Sequence, residues 1–207
     1  MFKVGGIVNR NKGGIGVILL TILGIFGVIG LMFAGSYNGL VQLEEKVKSA
    51  WAQVENVYQR RLDLIPNLVE TVKGYAAHES STLTAVTEAR SRVTGTISSD
   101  VITDPAKFQK FQESQVALGG ALSRLLAVAE SYPDLKANQN FLELQAQLEG
   151  TENRIAVERG RFNEVALAFN TKLRQFPTNV IGGMFGFKTK EYFKADSQAQ
   201  TAPKVTF

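Results

Sequence analysis

Apolar and aromatic side chains recur along the chain at Leu40, Leu43, Val47, Trp51, Val54, Tyr58, Leu62, Ile65, Leu68 or Val69, Val72, and Tyr75 or Ala76. The mean interval lies between 3.5 and 3.6 residues, the period of one face of an α-helix. Pro66 sits inside this stripe, and the phase does not slip there. A loop scrambles phase, so the stripe predicts one helix that passes through the proline. The proline must still delete one backbone hydrogen bond and crowd the carbonyl of Leu62, so Pro66 is the expected site of a kink. The competing reading starts a second helix at Asp63, with Pro66 in its first turn. A continuous helix of this length reaches about 60 Å, which makes the chain a tall rod.

What precedes the stripe roots the rod. From Ile15 to Ala34 the sequence IGVILLTILGIFGVIGLMFA carries no charge, and about 20 apolar residues span the hydrocarbon core of a bilayer. A cleaved signal has a shorter apolar region and a small-x-small exit; here Met32 and Phe33 occupy the exit. The expectation is a short basic segment over 1–14 and a single transmembrane helix over 15–35. Lys3, Arg10 and Lys12 precede the span, whereas Lys46 and Lys48 follow it among Glu44 and Glu45. The positive-inside rule then puts the N-terminus in the cytoplasm and the body on the extracytoplasmic side. Gly24, Gly27, Gly30 and Ala34 recur at spacings of three and four, a pattern that lets two membrane helices approach closely. Glycine is also simply common in such helices.

Three more segments keep a helical period. Leu83, Val86, Arg90, Val93 and Ile97 mark the second, which the turn-forming TGTISSD closes. Asp104-Pro105 is a start signal for the third, with an acceptor at the N-cap and a proline where no N–H is needed. The fourth runs from Phe141 to Phe176, before Pro177. Short connections between long helices imply antiparallel neighbours. The fold class expected is all-α: one transmembrane helix plus a long antiparallel four-helix bundle over 36–176. In that layout residue 155 lies level with about residue 60, so Glu152 and Glu158 fall near Arg60 and Arg61. The expectation is a polar layer at mid-bundle that fixes the register, or else charges that simply face solvent.

Removing the three N-terminal basic residues leaves 20 basic against 19 acidic groups. A near-neutral body lacks the concentrated basic face that nucleic acid requires. His78 is the only histidine, cysteine is absent, and position 82 offers threonine where a zincin needs its second histidine. No glycine pattern flags a nucleophilic serine, and GGMFGF lacks the lysine-serine/threonine ending of a phosphate loop. The sequence therefore points to no catalytic set, metal or cofactor, and His78 reads as a turn residue between the first two helices, solvated or capping.

The stretches YNGLVQLEEKVKSAWAQVENVYQRRLDLIPNLVETVKGYAAHE, GALSRLLAVAESYPDLKANQNFLELQAQLEGTENRIAVERGRFNEVALAFN and FPTNVIGGMFGFKTKEYF resemble the LemA family of membrane-associated bacterial proteins. With the apolar segment, the resemblance runs from about residue 15 to 194. It implies a membrane helix followed by a long helical bundle. Some members of that family contribute to magnetosome membranes and others are encoded beside membrane metalloproteases. The resemblance thus implies membrane organisation or partner handling and no active site. Gly160 stands where relatives have a better helix former, so local flexibility is expected in the fourth helix.

Past the bundle, residues 177–194 expose Ile181, Met184, Phe185, Phe187, Tyr192 and Phe193 between glycines, with Lys188, Lys190 and Lys194 interspersed. In an up-down bundle this segment lies at the end where the first helix begins. Its aromatics should dip into the headgroup region and its lysines face phosphates; alternatively it caps the open end of the bundle. Residues 195–207 are polar and proline-interrupted, as expected of a disordered tail. The function expected is a non-catalytic scaffold in the bacterial inner membrane, acting as a homo-oligomer on the lipid bilayer. The alternative is a regulator of an integral membrane partner, a protease or a transporter.

Overall fold

A computed structural model describes residues 12–98 and 100–194, with side chains from residue 16 onward. The polar tail, Lys3 and Arg10 lie outside the described residues. All regular elements among the described residues are helical.

Helix α1 runs from Lys12 to Tyr75, 64 residues without a break, or about 96 Å. Its first half, from Gly16 to Met32, is exposed on all sides, and Leu40 is its first buried residue. Pro66 does not break it. The proline faces solvent, and the carbonyl of Leu62, which loses its usual amide donor to the proline, instead accepts from Arg90 Nε at 3.0 Å. The deleted backbone bond is thus replaced by a side chain of the neighbouring helix.

That neighbour is α2, Ser80–Thr94. A 3-10 turn over Val101–Thr103 leads to α3, Pro105–Ala129. Asp104 caps α3 by accepting from the amides of Ala106 and Lys107, which satisfies two donors that the first turn cannot pair internally. A single turn, α4, covers Pro133–Lys136; Asn138 then caps α5, Gln139–Arg174, through the Phe141 amide. Helix α6, Thr178–Phe185, ends at Gly186, whose φ of +74° closes the last turn as only glycine does without strain. Gly160 lies inside α5 with open space around its Cα and causes no interruption.

Helices α1, α2, α3 and α5 form an antiparallel four-helix bundle in its outer half. The register is set by pairs such as Trp51 with Phe162, and Arg61 with Glu152. Its core has two apolar clusters. The outer one is built on Leu62, Leu68, Leu118, Leu125 and Phe141. The inner one, nearer the apolar half of α1, is aromatic: Trp51, Tyr58, Phe108, Phe111, Phe162 and Phe169. Toward that inner end α2 and α3 run out, since Phe108 in the first turn of α3 already faces Trp51 at 6.5 Å. Below this level α1 packs on α5, α6 and an extended segment that follows α6.

Candidate membrane-proximal site

That extended segment, residues 186–194, decides the shape of the inner end. Each of two asparagines on α5 holds one of its residues by a pair of backbone bonds. Asn170 donates to the Lys190 carbonyl at 2.9 Å and accepts from the Lys190 amide at 2.8 Å. Asn163 does the same with Phe193, both at 2.9 Å. The match is geometric: seven residues of helix rise about 10.5 Å, and three residues of extended chain cover about 10 Å. The amide groups stand in for a neighbouring β-strand. Glu191 adds a bond from its amide to the Ile102 carbonyl at 2.9 Å. The segment is a strap tied to α5 and to the 3-10 turn that precedes α3.

Two side chains of the strap point inward. Phe193 enters the aromatic cluster, stacked on Trp51 at 6.1 Å and tilted against Phe108 at 5.0 Å, with the Arg159 guanidinium 4.6 Å over its ring. Lys190 is buried; its ammonium lies 2.7 Å from Glu44 of α1 and 4.9 Å from the Phe169 ring centre. These placements correct the expectation that Lys190, Tyr192 and Phe193 meet lipid. Phe193 and Lys190 are core residues, and the Tyr192 hydroxyl accepts from Asn170 at 2.8 Å. Ile181 is also inward, packed within the bundle end and fully buried. The physical reason is the Asn163–Asn170 ladder, which turns the chain back along α5. The repeated pair Phe162-Asn163 and Phe169-Asn170 was the available signal: at each end of a seven-residue interval, a core aromatic is followed by an amide.

What stays outside is α6. Its inner face is Thr178, Ile181 and Gly182, and the last lies so close to Leu173 that any Cβ would overlap that side chain. Its outer face carries Val180, Met184 and Phe185, next to exposed Phe176. Phe185 and half-buried Phe187 close on Tyr37 of α1, at 4.7 and 5.9 Å between ring centres. Lys188 is exposed. Tyr37 lies only three residues beyond the apolar run, so this foot adjoins the exposed half of α1. Gly24, Gly27, Gly30 and Ala34 are exposed in that half, and the three glycines have nothing within 4 Å of a notional Cβ.

At mid-bundle the structure brings two of the four expected charges together. Arg61 is 5% exposed and its Nε lies 2.8 Å from Glu152 Oε1. The N–H is not aligned on that oxygen, so the contact is an ion pair more than a hydrogen bond. Nη1 donates to Gln115 Oε1 at a long 3.5 Å, and Gly119 leaves the room that Nη2 occupies. Burial pushes the Arg61 guanidinium down from its ordinary value, and the Glu152 charge opposes that. Arg60 and Glu158 are corrections. Arg60, about 100° round the helix from Arg61, faces solvent. Glu158 pairs with Arg161 one turn along its own helix at 2.8 Å. His78 is exposed in the turn after α1, and no group of three or more His, Asp or Glu gathers among the described residues.

Residues 50–207 match the LemA family. The chain belongs to the LemA family. Among curated relatives of this LemA-family chain is a magnetosome protein MamQ of Paramagnetospirillum magneticum, 26% identical over 207 residues, which cover 92% of this chain and 75% of the relative. A magnetosome protein MamQ of Magnetospirillum gryphiswaldense is 27% identical over 187 residues, 82% of this chain and 68% of that protein. A protein LemA of Metamycoplasma hominis is 25% identical over 178 residues, 86% and 77% respectively. None of these names is that of an enzyme.

Proposed function

We propose that this LemA-family chain is a single-span protein of the bacterial inner membrane, whose bundle stands off the bilayer as a non-catalytic scaffold. It organises membrane-associated assemblies by self-association. The observation that carries this reading is α1 itself. One uninterrupted helix joins an apolar segment exposed on all sides to the first buried rung of the bundle. Exposure of that many large apolar side chains is costly in water and favourable in lipid. A continuous helix also fixes the bundle's direction relative to the span.

Support for self-association comes from Gly24, Gly27, Gly30 and Ala34, a stripe suited to close helix contact. The magnetosome names of two relatives favour a part in an assembly. The basic residues before the span put the N-terminus in the cytoplasm and the bundle on the far side, with Met184, Phe185 and Lys188 at headgroup level. The chain has no cysteine, so a single one introduced at Gly27 reports its neighbours cleanly. Oxidation of native membranes should yield a disulfide-linked dimer of the chain, weaker when the cysteine is moved to Ile25 or Ile29 on the opposite face of the helix. Equal yields at all three positions would dispose of the stripe. Cross-links found by mass spectrometry only to another integral protein would replace self-association with the rival reading, a regulator of a membrane protease or transporter.

A further inference from the structure

Four large apolar side chains at the foot are strongly exposed: Phe176 at 83%, Val180 at 45%, Met184 at 69% and Phe185 at 59%. Lone exposed apolar residues, such as Val116, Leu142 and Val157 elsewhere on the bundle, are ordinary. A group gathered on one short helix and the residues just before it marks an interaction surface. Its place identifies what covers it. Phe185 rests on Tyr37, about 5 Å along the helix axis from the last residue of the apolar run. Amphipathic helices that lie in the interface bury their apolar face by roughly 5–10 Å. The patch is therefore continuous with the lipid-facing surface of α1.

The charges around it have one sign to spare. Glu44 is taken by Lys190, and Glu45 by Lys48 at 2.7 Å. Glu191, half-buried, is the remaining acid of the strap. Arg174, two residues before Phe176, and Lys188, next to Phe187, are exposed, and neither is among the ion-paired cations of the described residues. Half-exposed Lys172 adds to them. Arginine and lysine that flank an apolar patch at headgroup depth are complementary to phosphate charge, and a guanidinium can grip two phosphate oxygens at once.

We propose that the foot is a binding site for anionic phospholipid, with Phe176, Met184 and Phe185 in the acyl boundary and Arg174 and Lys188 on the headgroup phosphates. The site excludes Lys190, whose charge is spent inside the bundle. The inference rests on α1 spanning the bilayer. Each basic residue near an anionic surface strengthens association roughly five-fold, so the two together are worth about 25-fold.

The test uses the full chain reconstituted in vesicles of phosphatidylcholine mixed with phosphatidylglycerol, with bromine on the acyl chains of one lipid or the other. The probe is Phe185→Trp. The native chain is the reference, because its only tryptophan, Trp51, is buried and stands about 20 Å farther along α1. Brominated phosphatidylglycerol should quench the probe several-fold more than brominated phosphatidylcholine, and Arg174→Gln with Lys188→Gln should bring the two toward parity. Equal quenching by both lipids in the unaltered foot overturns the headgroup site. No quenching by either, in a chain that resists carbonate extraction, overturns it and leaves the membrane span standing. Release of the chain by carbonate removes the span and the foot together.

Discussion

Removing the exposed partner of the mid-bundle ion pair should cost more than removing the buried one. Arg61 is almost wholly enclosed, whereas the Glu152 side chain is 44% exposed. Glu152→Gln leaves a buried guanidinium facing a neutral amide, with only a long bond to Gln115. Stranding a fully buried charge costs about 3–5 kcal/mol; water that reaches the Glu152 side of this pair reduces the figure to about 2 kcal/mol. Arg61→Met removes the enclosed charge and fills its space with apolar volume, while Glu152 turns to solvent. That substitution should cost about 0–1 kcal/mol, because hydrophobic replacements of buried ion pairs are often neutral or better. The double variant should resemble Arg61→Met, which gives a coupling of about 2 kcal/mol. Urea titration of the detergent-solubilised chain, followed by circular dichroism, reads all four corners of the cycle. In thermal melts Glu152→Gln should lower Tm by about 4–8 °C. The reasoning is refuted if Arg61→Met costs as much as Glu152→Gln, since the pair would then be a symmetric surface contact despite its burial.

Three further outcomes follow from the geometry. Arg90→Ala should destabilise by about 1–2 kcal/mol by orphaning the Leu62 carbonyl, and by clearly less in a Pro66→Ala background, where the backbone amide returns; equal costs in both would sever the link between Arg90 and the proline. Phe193→Ala should cost about 3–4 kcal/mol and expose the chain after Gly186 to protease, so an unchanged cleavage pattern would mean the strap is held elsewhere. Gly182→Ala should destabilise by about 1–3 kcal/mol through overlap with Leu173, whereas Gly160→Ala should stabilise by about 0.5–1 kcal/mol; denaturant midpoints of opposite sign check both.

Much of the fold was legible because a helix writes its buried face into the chain at a fixed period. The stripe from Leu40 to Tyr75 carried α1 through Pro66, and Asp104-Pro105 marked the start of α3. The level of Arg61 followed from helix lengths alone, since each residue adds the same rise. Within the expected charged layer, Arg60 and Glu158 failed because level is not azimuth. One step along a helix turns a side chain by about 100°, and a stripe only a few residues wide does not say which of two adjacent arginines lies inside it. The foot was misread for a different reason: in NVIGGMFGFKTKEYFK, glycines, aromatics and lysines have the composition of an interfacial loop, and composition does not separate the residues that turn back onto α5 from those that stay exposed.

What the sequence alone determined is the set of local, periodic facts: four long helices and one apolar segment of bilayer length. The tertiary structure decided everything that depends on partners distant in the chain. Arg90 relieves the carbonyl beneath Pro66, Asn163 and Asn170 fold the strap back, Lys190 finds Glu44, and Phe193 completes an aromatic core. Those pairings are non-periodic; each depends on where two remote backbones happen to lie within a few ångströms, and no one-dimensional pattern carries that distance.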